Sequence, residues 1–305
     1  MSRRLILAVG AVLAAAALPA TSAAASPRPF TAHFVPFEGH RLYVRDYPGQ
    51  GPALVLMHGF PDDLHLYDRV VPLLRGRRTV TFDFLGWGRS DKPRGHVYTF
   101  AEQEREIDAV VGGLGLPSIV PVVHDASGPG GINWALDNPS RAAALVLLNT
   151  FYSPMPTTNP PEAIRIFSDP AFADLSRAIL ADRRTSRWLY FWQVGRFMSD
   201  PKVRATFLRK LWPVFVRSRP AFASLNRDLL PAVAADGART SELSAFARPV
   251  RIVFGARDPY LNSGIAQSFH DLIPGSELFL LPARHYVQVD APARVADLLR
   301  STPTG

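Results

Sequence analysis

Val122-Val123-His124-Asp125-Ala126-Ser127-Gly128 decides how the chain is read. An apolar run from Ile119 to His124 ends in small residues, and an amphipathic stretch follows over Gly131–Asn138. A strand that passes through a tight turn directly into a helix forms a strained elbow, which thrusts one side chain up from the sheet edge. Such elbows usually carry serine at the apex. Aligning the strand end with Ser127 and Gly128 as the small pair puts Asp125 there instead.

Upstream of the elbow, Thr31–Phe37 and Arg41–Tyr47 read as a hairpin and Ala53–His58 as a buried strand. Further apolar runs at Thr79–Phe82 and Ala144–Leu148 alternate with amphipathic stretches near Leu64–Leu74 and Phe100–Val111. This alternation predicts an α/β protein, a mostly parallel sheet with helices on both faces. It stops at Asn149. From there to Arg248 the chain is aromatic, proline-punctuated and helical, clearest at Arg187–Phe197 and Val203–Val216. Strands return at Val250–Phe254 and Glu277–Leu281, with a last helix near Arg294–Arg300. The expected organisation is therefore a core of residues 26–150 and 249–305, with a helical cap of residues 151–248 inserted over the carboxyl edge of the sheet. That edge is where ligands bind in open α/β sheets.

Two more features follow predicted strands. Asp258 stands in Phe254-Gly255-Ala256-Arg257-Asp258-Pro259, and His285 in Leu281-Pro282-Ala283-Arg284-His285-Tyr286. The order nucleophile, acid, histidine is that of hydrolases built on such sheets. Asp125, Asp258 and His285 are accordingly the expected catalytic set.

The chain resembles the α/β-hydrolase superfamily in its aspartate-nucleophile branch, the epoxide hydrolases and haloalkane dehalogenases. His58-Gly59-Phe60-Pro61, the run Asp83-Phe84-Leu85-Gly86-Trp87-Gly88-Arg89-Ser90-Asp91-Lys92-Pro93, the elbow, Asp258 and His285 carry the resemblance. It implies an α/β-hydrolase fold and attack by Asp125 on a substrate carbon to form an alkyl-enzyme ester. His285, oriented by Asp258, would then activate water to hydrolyse that ester. The amides of Phe60 and Ala126 would form the oxyanion hole.

For an epoxide the resemblance implies two acidic tyrosines in the cap. Tyr190, in Trp188-Leu189-Tyr190-Phe191-Trp192-Gln193, matches the first, and the second is missing. Tyr152 is the only other tyrosine in the insertion, and Asn226 stands near the expected place. For an alkyl halide, Ala126 replaces the tryptophan usual after the nucleophile, leaving Trp188, Trp192 or Trp212 to donate an indole N–H. Phe60 and Tyr190 favour opening of a hydrophobic epoxide to a diol. Haloalkane dehalogenation is the alternative. A serine esterase through Ser127 and a non-catalytic binding protein are the further ones.

Composition sets the remaining bounds. With 47% hydrophobic residues, 20% charged and no cysteine among 305, the chain can bury a full core and has no disulfide or thiolate chemistry. No cluster of metal ligands stands out, so no cofactor is expected; the expected partners are a small hydrophobic substrate and water. Between Phe151 and Arg248 there are 15 Lys/Arg against 8 Asp/Glu. This basic third is suited to weak association with anionic surfaces; no nucleic-acid-binding module accompanies it. Residues 1–25 read as an export signal. Arg3 and Arg4 precede an apolar run from Leu5 to Leu18, and Ala23-Ala24-Ala25 offers a cleavage site. The run is shorter than the ~20 residues that span a bilayer. The expected location is periplasmic or secreted, by either the general or the twin-arginine route.

Overall fold

A computed structural model describes residues 27–304. Residues 1–25, which read as an export signal, lie outside the described residues. The chain opens with a hairpin, β1 (Thr31–Phe37) and β2 (His40–Tyr47). Glu38 and Gly39 form its two-residue turn, both with positive φ (46° and 80°), the geometry that suits the twist of paired strands. Strands β3 (Gln50–Leu56), β4 (Arg77–Phe82), β5 (Ile119–Asp125), β6 (Leu145–Thr150), β7 (Val250–Gly255) and β8 (Glu277–Leu281) complete one sheet. Its order is β1-β2-β4-β3-β5-β6-β7-β8. Pairing is antiparallel through β2–β4 and parallel from there on.

The central strands are covered on both faces, which explains their unbroken apolar runs. All six residues of β6 and of β7 are buried. Helices α1 (Phe100–Gly113) and α2 (Gly128–Asp137) pack on each other, and α8 (Ser263–Leu272) packs on β7 and β8. Two short helices, α9 (Val287–Asp290) and α10 (Pro292–Arg300), close the chain. Five helices intervene between β6 and β7: α3 (Glu162–Ser168), α4 (Ala173–Ala181), α5 (Arg183–Gly195), α6 (Pro201–Gly237) and α7 (Thr240–Ser244).

Two expectations need correction. Leu64–Leu74 forms two 3-10 turns rather than an amphipathic α-helix. Pro72 lacks the N–H that a continued helix would need there. Conversely, α6 runs for 37 residues, far past Val216, through Pro213, Pro220 and Pro231. Each proline removes a helical hydrogen bond, yet α6 buries Leu211, Phe215, Phe222 and Leu225 on one side. At roughly 1.5–3 kcal/mol per fully buried side chain, that packing outweighs the breaks.

Candidate active site

Asp125 ends β5 and is one of three non-glycine residues with positive φ among those described, at 49°. Left-handed backbone costs an L-residue about 1–2 kcal/mol, and the neighbours hold it there. The Thr150 hydroxyl donates to the Asp125 carbonyl (2.6 Å). Gly128 must be glycine because a Cβ would lie 2.0 Å from Thr150 Oγ1. Gly59 is constrained likewise, since a Cβ would meet the Asp125 carboxylate at 2.5 Å.

The two carboxylate oxygens of Asp125 have different surroundings. Oδ2 accepts the Phe60 amide (3.3 Å). Oδ1 faces His285 Nε2 at 3.7 Å, too far for a direct hydrogen bond. Burial raises the Asp125 pKa, while His285 and the amides of Ala126 and Phe60 oppose that rise. His285 Nδ1 pairs with Asp258 Oδ2 at 2.8 Å. Asp258 is itself fixed by the Asn149 side-chain amide (2.8 Å) and the Tyr260 backbone N–H (2.9 Å). Burial pulls the His285 pKa down, but the charges of Asp258, Asp125 and Asp62 prevail and lift it above 6.5.

A cavity of about 150 Å³ opens above these groups, reaching Asp125 and His285 from the side of α5 and α6. Its wall is overwhelmingly apolar, with Phe167, Leu189, Phe215 and Phe222 contributed by the inserted helices. Tyr190 also lines it. The Tyr190 ring is buried and stacks on Phe215 (4.9 Å), and its hydroxyl has no partner among the described residues. Burial, with Asp62 and Asp63 nearby, pushes its pKa well above the usual range, so it stays a neutral donor.

Other candidates fall elsewhere. Tyr152 does not line the cavity; its hydroxyl donates to Asn133 Oδ1 (2.7 Å). Trp188 and Trp192 are 64% and 37% exposed and stack on each other outside it. Trp212 is buried among Tyr190, Phe191 and Phe215, and no tryptophan lines the cavity among the described residues. Asn226 turns its amide back to the Phe222 carbonyl (2.8 Å) within α6. Ser127 Oγ is buried, donating to the His124 carbonyl (2.9 Å) and accepting the His124 amide (2.8 Å). It is engaged in holding the turn.

Several structural acids and bases surround the site. His58 Nε2 accepts the Phe84 amide (3.2 Å), so its Nδ1–H donates to the Gly59 carbonyl (2.7 Å) and shapes the loop before Phe60. Asp83 accepts the Leu64 and Arg89 amides (2.9 and 2.8 Å). His124 packs on His285 with ring centroids 4.8 Å apart, and burial keeps it neutral. Asp62 and Asp63 are expected from their position to cap the next helix. Asp63 does so, accepting the His65 amide (2.9 Å). Asp62 instead is buried behind the site and accepts the Tyr286 hydroxyl (2.8 Å). Adjacency in sequence hides that difference. The sequence also gives no signal for Gln193 and Tyr260, which line the cavity and bond each other (2.9 Å). No group of three or more His, Asp or Glu is arranged to hold a metal ion among the described residues.

The sequence profile of the alpha/beta hydrolase fold family matches residues 52–292. The chain belongs to this family and is a hydrolase. Haloalkane dehalogenase 2 of Mycobacterium tuberculosis H37Rv is 28% identical to this hydrolase over 275 residues, covering 88% of this chain and 93% of the relative. A haloalkane dehalogenase of Mycobacterium marinum is 29% identical over 289 residues, covering 90% and 94%. The solved structure of the haloalkane dehalogenase DatA from Agrobacterium tumefaciens C58 superposes with a TM-score of 0.69 at 22% identity, covering 89% of this hydrolase and 95% of DatA. The sheet and its inserted helices are those of the fold, with similarity to the dehalogenase-like branch.

Proposed function

We propose that this hydrolase uses Asp125 as a nucleophile and opens a hydrophobic epoxide to a diol. The observation that carries the nucleophile is the split environment of its carboxylate. Oδ2 sits on the Phe60 amide, where an oxyanion would be stabilised, and Oδ1 is free to attack. Oδ1 bonds the ring carbon as the ring C–O bond breaks, and that oxygen takes the Tyr190 phenolic proton. A water then enters beside His285 Nε2 and Asp125 Cγ. His285 Nε2 takes a proton from that water as its oxygen attacks Asp125 Cγ. The tetrahedral intermediate collapses, the Cγ–Oδ1 bond breaks so that Oδ1 leaves with the alkyl group as an alkoxide, and the proton on His285 passes to that alkoxide. The proton left on the new Asp125 carboxyl passes through solvent to restore Tyr190. Residues 151–248 serve as the cap that keeps the ester dry, and the signal read over residues 1–25 supports action outside the cytoplasm.

Tyr190 supports the epoxide reading, since its hydroxyl has no partner among the described residues and the residue lines the chamber that reaches the nucleophile. Tyr190→Phe is expected to lower kcat/KM for an aryl epoxide about 10²-fold and to leave displacement from a bromoalkane within about threefold. Steady-state kinetics on both substrates check this, and equal losses on both would sink the epoxide assignment. The second reading, release of halide from an alkyl halide, is favoured by the names of the sequence relatives. The absence of tryptophan from the described cavity wall weighs against it.

The raised His285 pKa sets a pH dependence. The imidazole must be neutral to accept a proton, so deacylation is lost as pH falls through the His285 pKa. Asp258 and Asp62 still raise that pKa in the ester, whereas the Asp125 charge is then gone. A kcat profile with no acid limb would contradict the assigned base.

A further inference from the structure

The two faces of α5 differ in chemistry. Its inner face, with Leu189, Tyr190, Gln193 and Val194, lines the cavity. The outer face carries the parallel-stacked pair Trp188 and Trp192, with ring centroids 5.9 Å apart and planes within 12°. Large apolar rings left in water by a folded chain mark a contact surface. Arg187 lies over Phe191 (4.7 Å) and Arg196 over Trp192 (4.6 Å), so cations and rings are interleaved. Between Arg183 and Ser199 the sequence holds four arginines and no acid. Arg196 pairs with Glu162 (3.1 Å). Arg183, Arg184 and Arg187 are exposed and make no ion pair among the described residues. Alongside, α4 packs on α5 and buries no residue of its own, and Phe172 and Leu175 stand exposed at its start.

We infer that the outer face of α5 is a docking surface for an anionic lipid bilayer. Charge complementarity selects this occupant. Unpaired arginines favour anionic headgroups, and tryptophan rings settle at the headgroup level, where one edge is apolar and the other wet. The helix lies in the interface and does not span it, since no described helix is long and apolar enough to cross a membrane. An apolar substrate dissolved in the bilayer then meets the protein at the helix whose other side lines the chamber. This assignment is independent of which bond the site breaks.

The described residues hold an eight-stranded sheet and a continuous apolar core, so a chain starting at residue 27 is the protein to test, free of the apolar N-terminal run. It is sedimented with vesicles of phosphatidylcholine alone and of equimolar phosphatidylcholine and phosphatidylglycerol. Binding is expected to the anionic vesicles, with a blue shift of tryptophan emission. Arg183→Gln, Arg184→Gln and Arg187→Gln together are expected to weaken partitioning by about fivefold per arginine. Trp188→Ser with Trp192→Ser is expected to abolish the blue shift while turnover of a soluble substrate is kept. Equal partitioning into both vesicle types, or anionic binding that neither variant reduces, would overturn the inference. So would a homodimer, seen by sedimentation velocity, that the double tryptophan variant dissociates.

Discussion

Asp125→Asn is expected to fold normally and to turn over neither epoxide nor alkyl halide, with kcat reduced about 10⁴–10⁶-fold. Asparagine is the informative replacement because it tolerates the left-handed backbone, which the native residue adopts at φ 49°. Alanine there would confound lost chemistry with strain. The amide still accepts the Phe60 N–H through its oxygen, so the oxyanion loop keeps its shape. What disappears is the anionic Oδ1, and neutral amides do not displace alkoxide or halide from carbon. Thermal unfolding within a few degrees of the wild type, together with lost turnover, is the expected pair of readings. If the variant instead kept substantial turnover of an acyl ester, Ser127 would regain its claim as nucleophile, despite its buried and doubly engaged hydroxyl.

On the proposed mechanism, His285→Ala is expected to separate the two half-reactions. Alkylation of Asp125 needs no base, so the first step continues at a rate within about tenfold of the wild type. Hydrolysis of the ester loses its water activator, and steady-state turnover falls by about 10⁴-fold. The protein then accumulates the intermediate, which intact mass measures directly. Incubation with an aryl epoxide should add the whole epoxide mass. A bromoalkane, if it reacts, should add the alkyl group without the halogen. The variant also frees the Asp258 carboxylate from its imidazole partner at 2.8 Å, leaving a buried charge held by Asn149 and Tyr260 alone. Some loss of stability is therefore expected with the trap. An unmodified mass after both incubations would count against the covalent route.

The elements that the sequence makes legible share one property: their pattern is local. β8 runs over Glu277–Leu281 as its apolar run suggests, and the elbow is visible because small residues must follow a strand end. The inserted helices are legible as a composition change, but their orientation is not. Trp188 and Trp192 sit two positions either side of Tyr190, so helical geometry places them on the opposite face from its hydroxyl. The aromatic residue types alone gave no sign of which face meets the cavity. Tyr152 failed as a second acid for a similar reason, since its partner Asn133 is 19 residues away and on another element. The long reach of α6 was hidden by its prolines, because burial over many turns outweighs what each local break costs.

The end of β6 gives the molecule a natural seam. Asn149 ties the Asp258 carboxylate and the Gly255 amide, and Thr150 ties the carbonyl of Asp125. The ties that β6 contributes to the site are thus complete one residue before Phe151, and the others lie outside residues 151–248. A chimera that exchanges the helices between Phe151 and Arg248 for those of another hydrolase would change the chamber wall while leaving those ties whole. Contacts outside the seam have to be matched by any donor, among them the Phe197 carbonyl that accepts the Tyr286 amide (3.1 Å) beside His285. The Tyr98 amide rests on the Ser224 hydroxyl (3.0 Å), and the Phe100 amide rests on the Asp228 carboxylate (2.8 Å). A graft that meets these contacts keeps Asp125, Asp258 and His285 in place and brings its own chamber wall, with Tyr190 exchanged along with it.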